Sequence, residues 1–255
     1  MSRTMRCCPP TVPIDGPKRV SLRCPAVGIG LESAPCGFDD AEFDTVYPAE
    51  IQALSPRFWT PVGVARRAAE LFRTAGARSV LDVGAGVGKF VLVAAAAEPE
   101  LDFVGIEQRE HLVHIARMAG SHLRIDNAFF LAGDVTMAPW VAFDGLYFFN
   151  PLSENLFAKA DHMDDGVELS RSRFFRDVLR VEDALRVARP GTVIVTYHGT
   201  STRIPTSYEL SHAERAGSDW LRQWTKRQDS DDGSFFFELQ DRIVRLRPDV
   251  MGNAS

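Results

Sequence analysis

The segment Ser79-Val-Leu-Asp-Val-Gly-Ala-Gly-Val-Gly88 constrains the fold of this chain more than any other stretch. A short apolar run enters a loop with glycine at 84, 86 and 88, and a Val/Ala-rich helical segment follows. Nineteen residues past Gly88, after a second apolar run, Leu101-Asp-Phe-Val-Gly-Ile106, the pattern closes on Glu107. Strand, tight turn, helix and strand in that order make a parallel unit with a right-handed crossover. Glycine lets the turn bend sharply and lets a ligand approach the main chain closely. In an open parallel sheet such a ligand lies outside the carboxyl ends of the strands, where strand order reverses.

The alternation continues on both sides of this unit. Phe43, Tyr47, Ile51 and Leu54 recur at helical spacing and predict a helix over 40–54. Thr60-Pro61 is a helix start, with Thr60 as cap and proline in the first turn, and Gly76 is the stop. Strands are expected at 78–83, 101–107, 128–133, 143–149 and 191–197, with helices over 88–97, 109–124 and 172–188. Thr192-Val-Ile-Val-Thr196 is apolar enough for a strand covered on both faces. Leu221 to Lys226 and Phe235 to Leu246 flank the turn-rich Asp229–Ser234 tract and predict an antiparallel hairpin. The expected fold is therefore α/β: a Rossmann-like, doubly wound, mostly parallel seven-stranded sheet with helices on both faces and a C-terminal antiparallel hairpin.

Residues 1–37 carry six prolines and all four cysteines, Cys7, Cys8, Cys24 and Cys36, and are expected to be a flexible leader. No Cys-x-x-Cys spacing and no nearby histidine suggest a zinc site there. Residues 38–255 are expected to form one domain: N-terminal helices to 76, a core from 77 to 200, and the hairpin region from 201. No apolar run is long enough to span a bilayer, and no compact apolar signal is present, so a cytoplasmic protein is expected. The net charge of −5 argues against nonspecific duplex binding.

Three cofactor readings compete for the loop. A nicotinamide fingerprint needs glycine at 89, where Lys89 stands; a P-loop needs glycine at 83 and Ser or Thr at 90, where Val83 and Phe90 stand. What remains, Asp82-x-Gly84-x-Gly86-x-Gly88 with Glu107 ending the next strand, resembles motif I of class I S-adenosylmethionine-dependent methyltransferases. That resemblance implies S-adenosyl-L-methionine as cofactor. Glu107 then accepts both ribose hydroxyls, with Gln108 beside it. Gly84, Ala85, Gly86 and Gly88 form the loop, and Asp82 fixes the loop or meets the methionine ammonium through water. Asp134, in Gly133-Asp134-Val135, reaches the adenine amino group, with Val135 alongside. A plain loop clamp for Asp82 and a turn-capping acid for Asp134 are the structural alternatives.

The predicted strand over 143–149 ends in Asn150-Pro151. The pair resembles, without its second proline and its tyrosine, the signature of methyltransferases acting on planar nitrogens. Asn150 then holds the acceptor, and also borders the cofactor. The region 78–155 also loosely resembles the non-SET histone lysine methyltransferases. The lead-in Tyr47-Pro to Thr60-Pro61 looks like that of uncharacterised bacterial methyltransferases and puts Thr60 near the cofactor's carboxylate. His198, just past the 191–197 strand, is the candidate general base. Asp161-His-Met-Asp-Asp165 is a charged loop rather than a metal site. The insert 151–171, the stretch 199–217 and the 40–60 segment are expected to shape the acceptor pocket.

The expected function is methyl transfer by in-line displacement to an acceptor the sequence does not name, with a nitrogen as one option. A protein side chain or small molecule is favoured over nucleic acid, on charge. A non-catalytic S-adenosylmethionine-binding protein and a nicotinamide-dependent oxidoreductase are the alternatives.

Overall fold

A computed structural model describes residues 38–227. Seven strands make one sheet: β1 (Ser79–Val83), β2 (Asp102–Glu107), β3 (Ala128–Ala132), β4 (Gly145–Phe148), β5 (Val193–Tyr197), β6 (Tyr208–Ala216) and β7 (Asp219–Lys226). Their order is β3-β2-β1-β4-β5-β7-β6. β1 to β5 pair in parallel, and β7 runs antiparallel to β5 and to β6. The order reverses between β1 and β4, so the crevice expected from the sequence opens at the carboxyl ends of those two strands. The doubly wound, mostly parallel sheet with a terminal hairpin is thus the observed fold.

Helices α4 (Val62–Thr74), α5 (Lys89–Ala97), α6 (Glu110–Leu123) and α7 (Arg171–Val187) cover the sheet. One core contains Phe72, Phe90, Phe103 and Leu112 between α4, α5, α6 and the sheet. A second contains Leu81, Phe148, Val181 and Ile194 on the α7 side. Phe90 lies parallel to Tyr147 with ring centroids 3.6 Å apart, which locks the glycine-loop helix onto β4. Among the described residues no helix is long and apolar enough to cross a membrane.

Three expectations change. The helix expected over 40–54 is three short pieces, α1 (Asp40–Asp44), α2 (Ala49–Gln52) and α3 (Ser55–Phe58). Pro48 interrupts the run, because the residue before a proline is pushed out of the helical region. Thr60 does not cap α4: Pro61 holds that position, and the buried Thr60 hydroxyl lies 3.0 Å from the Tyr147 hydroxyl instead. The strand at 221–226 pairs with β6, inside a stretch expected to be irregular. β6 is an edge strand with charged or polar residues along most of its length, so it lacks the apolar alternation that marks a half-buried strand. The segment Phe235 to Leu246, and the N-terminal region with its four cysteines, lie outside the described residues.

Lys89, the residue that spoiled a nicotinamide fingerprint, has a packing reason to be there. Its side chain is buried in the first turn of α5, 2.6 Å from Asp44 and 2.7 Å from Asp40, with its ammonium over the Trp59 ring. It clasps the N-terminal segment onto the loop helix. Removing the Lys89 charge would leave the buried Asp44 carboxylate without its partner, at a cost of about 3–5 kcal/mol, whereas Asp40 is half exposed and loses little.

Candidate active site

The glycine loop is pinned to the end of β2 by its own main chain. Gly84 and Ala85 both donate to the Ile106 carbonyl, at 3.0 and 2.9 Å. Gly86 sits at φ +55° and donates to Glu107 Oε2 at 3.1 Å. A Cβ added at Gly86 meets nothing within 4 Å, so this residue bares its backbone to open space. At Gly84 the same atom would lie 3.0 Å from Pro151 Cβ, so the loop touches the Asn-Pro turn directly.

A cavity of about 420 Å³ opens beside the loop. Its wall includes Gly84, Gly86, Glu107, Gln108, Asp134 and Val135 from the β1–β3 half of the sheet, and Asn150, Pro151 and His198 from the β4–β5 half. Four expected site residues stand behind this wall. Asp82 is buried at the end of β1, Ala85 packs beside Gly105, and Thr60 is bonded to Tyr147. Gly88 begins α5, where a side chain would strike the Phe130 ring; its role is close packing of helix on sheet.

Two buried acids meet under the loop. Burial pushes Asp82 well above the ordinary carboxylate range, and the neighbouring Glu107 charge adds to the rise. Among the described residues no hydrogen bond to the Asp82 carboxylate is made. Burial also raises Glu107, against the opposing pull of the Arg109 amide and guanidinium and the Gly86 amide. An ionised carboxylate offers about four lone-pair sites. The amides of Gly86 and Arg109 take one on each Glu107 oxygen, leaving one on each for a vicinal diol.

The far wall is held differently. Asn150, His198 and Ser201 all adopt left-handed φ values, +50°, +56° and +61°. Such conformations are costly for residues with a Cβ, and they persist where surrounding bonds impose them. Ser201 Oγ donates to Asn150 Oδ1 at 2.9 Å, which turns the Asn150 amide nitrogen away from Ser201. His198 Nδ1 lies 2.8 Å from Asp219 Oδ2, at the start of β7, and Ser218 Oγ is 3.4 Å from Nε2. Phe149 lies against the His198 ring and lines the cavity, while Tyr147 and Phe148 face the cores.

The rim is tied together by two arginines. The buried Arg109 binds Glu154 and Asp164 of the 151–171 insert and sits 3.9 Å from Glu107. Arg173 of α7 donates to Gln108 Oε1 at 2.6 Å and lies 3.6 Å from Asp134. Burial raises the Asp134 carboxyl, but bonds from the Thr136 amide and hydroxyl, with Arg173 and Arg180 nearby, outweigh it and leave the group below its ordinary value. Asp134 therefore also serves as the turn cap weighed from the sequence. Arg57 joins the N-terminal segment to the insert, paired with Asp161 and lying over Phe157. Asp164 is engaged by Arg109 and His111, and no metal-holding group of side chains occurs among the described residues. Arg109 was not singled out from the sequence; a cation two residues past Glu107 was the signal for it. Ser201 and Asp219 carry no local signal, since their partners lie 51 and 21 positions away in the sequence.

These features suit S-adenosylmethionine. It presents a diol to match the two spare Glu107 lone pairs. Its cationic end answers two buried acids that lack full counter-charge, and Gly86 leaves room for close approach.

A family model described as a methyltransferase domain matches residues 75–236, more than half of the chain. A tRNA (guanine-N(7)-)-methyltransferase of Microcystis aeruginosa is 39% identical over 66 residues, covering 26% of this chain and 31% of the relative. A 23S rRNA (uracil(1939)-C(5))-methyltransferase of Nitrosococcus oceani is 39% identical over 75 residues, 29% of this chain and 16% of the relative. The chain thus spans less than a third of the length of these curated relatives. An RNA methyltransferase from Salinibacter ruber, solved with S-adenosyl-L-homocysteine, superimposes with a TM-score of 0.48 at 22% identity, over 68% of this chain and 97% of that one.

The curated relatives overturn one expectation. Net charge placed nucleic acid last among acceptors, yet both named relatives act on RNA. Three of the five excess negative charges are held in two clusters, Asp40 and Asp44 around Lys89, and Glu107, Glu154 and Asp164 around Arg109. A whole-chain sum therefore says little about the surface that meets a substrate.

Proposed function

The chain belongs to the methyltransferase-domain family, and from that premise we propose that it transfers the methyl group of S-adenosylmethionine to a base nitrogen of RNA, working in the cytoplasm, with a tRNA purine as the first substrate to test. The observation that carries the reading is the contact between the two functional turns: Gly84 of the loop abuts Pro151, beside Asn150, across one cavity. When bound, the cofactor supplies a methyl already activated by its sulfonium.

The residues then have mainly to hold geometry. Glu107 takes the ribose hydroxyls on its free lone pairs. Gly84 to Gly86 let the cofactor lie against the main chain, and Asp82 answers its positive end through the loop. Gln108, fixed by Arg173, and Asp134 with Val135 flank the adenine. Thr60 acts from behind, steadying Tyr147 under the loop helix. The Asn150 amide orients the acceptor base, and Pro151 sets its distance from the loop. In-line positioning of this kind accounts for a large share of the barrier lowering in transfer reactions.

The N7 of a purine has an in-plane lone pair and no proton to lose, so it needs no base. The His198–Asp219 pair favours a second acceptor, an exocyclic amine. Asp219 holds the Nδ1 proton, which leaves Nε2 as the proton acceptor.

The test is transfer of radiolabelled methyl from the cofactor to undermodified bulk RNA, followed by digestion to nucleosides. A labelled methylpurine that forms only with active protein is the expected outcome. Tight S-adenosylhomocysteine binding with no transfer to RNA would instead make this a binding protein, or one with another acceptor. A transfer rate that His198→Gln leaves unchanged identifies a ring nitrogen; a rate that the substitution lowers identifies the amine.

A further inference from the structure

The β6–β7 hairpin has two unlike faces. Toward α4, its charges are matched: Glu214 is held by Arg67 and His212, and Asp219 by His198. On the opposite face Arg215 stands directly across from Trp220, and Arg222 is the next residue of β7 on that face. Both guanidiniums lie over the indole, with Cζ at 5.4 and 5.5 Å from the ring centroid. Neither arginine forms an ion pair among the described residues. Trp220 is 38% exposed, an unusual state for the largest apolar side chain.

The position of this cluster is as telling as its chemistry. Ser218 lines the cavity, and Trp220 is two residues further along, about 7 Å at the rise of a strand. Stacked nucleotides rise about 3.4 Å each. The cluster therefore lies one or two nucleotides from the cavity rim. An exposed aromatic ring flanked by unpaired guanidiniums recognises unstacked bases, because every base has a π-face, and the same cations meet the phosphates alongside.

We propose that Arg215, Trp220 and Arg222 form a binding surface for the single-stranded RNA flanking the methylated base. Trp220, or the guanidinium plane over it, stacks with one flanking base, and the two arginines meet neighbouring phosphates. This rests on the reading of RNA as acceptor and adds the contacts that select an unpaired context around the target. It also supplies the local positive charge that the whole-chain sum conceals.

The experiment measures binding of bulk tRNA and of a short single-stranded RNA oligonucleotide by fluorescence anisotropy over a salt series. The proteins are wild type, Trp220→Ala, Trp220→Phe and the Arg215→Gln/Arg222→Gln double variant. Binding of S-adenosylhomocysteine and the thermal midpoint serve as fold controls. Trp220→Ala is expected to weaken RNA binding about 5- to 100-fold with little change in salt slope, and Trp220→Phe to retain most of the affinity. The double variant is expected to lower the slope of log K against log salt by about 1.4, two single-strand phosphate contacts. If wild type methylates RNA and all variants bind it with unchanged affinity and slope, the surface assignment is overturned while the acceptor reading stands; a surface serving a protein partner gives this result. If wild type binds S-adenosylhomocysteine but neither binds nor methylates RNA, the acceptor reading falls and takes this inference with it.

Discussion

On the β1–β2 side of the cavity, position is held by the main chain; on the β4–β5 side it is held by side chains from distant segments. The loop from Gly84 to Gly86 hangs from the Ile106 carbonyl and the Glu107 carboxylate, with glycine wherever the left-handed region is entered. Asn150, His198 and Ser201 enter the same region without that freedom, and Ser201 and Asp219 brace two of them. A backbone cradle suits a ligand that is the same in every turnover. Side chains held in costly conformations suit an acceptor whose nucleophile must arrive at one angle. The difference predicts that damage on one side shows as lost cofactor affinity, and on the other as lost transfer.

The largest effect that would break this division is at Gly86. Gly86→Val puts a β-branched side chain at φ +55° and into the cavity, and should weaken S-adenosylhomocysteine binding at least ~100-fold by calorimetry; left-handed backbone alone costs about 1–2 kcal/mol in L-residues. Next comes Glu107→Gln, which should raise the cofactor Kd about 10- to 100-fold, the worth of charge-assisted bonds to the ribose. Ser201→Ala should leave that Kd unchanged and slow single-turnover transfer about 3- to 10-fold, by freeing the Asn150 amide.

The smallest expected effect is on pH dependence, and its sign is fixed by the two acids. Burial raises Asp82 and Glu107, so folding makes their ionised forms costlier than they are in the unfolded chain. Their contribution to stability is complete below the ordinary carboxylate range near 4 and is lost as pH rises through their raised values. A cationic ligand favours the ionised forms. The thermal midpoint of the ligand-free protein should therefore fall, and S-adenosylmethionine affinity rise several-fold, as pH climbs from the ordinary carboxylate range through the raised values of the two acids. Asp82→Asn should flatten both curves; unchanged curves would remove Asp82 from the account.

The same contrast explains what could be read from the sequence. Backbone-built features leave local, periodic traces: the glycine loop, Glu107, and the apolar strands that gave the sheet and its crevice. Asn150 and His198 were visible because each directly follows an apolar strand. Their braces were not, since Ser201 and Asp219 act through folding that brings separate segments together. β6 was missed because an edge strand needs no apolar face, and the Gly217-Ser218 turn that joins it to β7 is only two residues long. Lys89 showed only what the loop was not; its clasp on Asp40 and Asp44 depends on α1 docking against α5.

The most direct test of the division is Asn150→Ala, with the S-adenosylhomocysteine Kd and the single-turnover rate of methyl transfer to RNA measured on one preparation. The account predicts a Kd within about threefold of wild type and a rate lowered about 100-fold, as expected for misplacing a reacting group by an ångström or so. A Kd that rises in step with the loss of rate, or a rate that does not change, would contradict it.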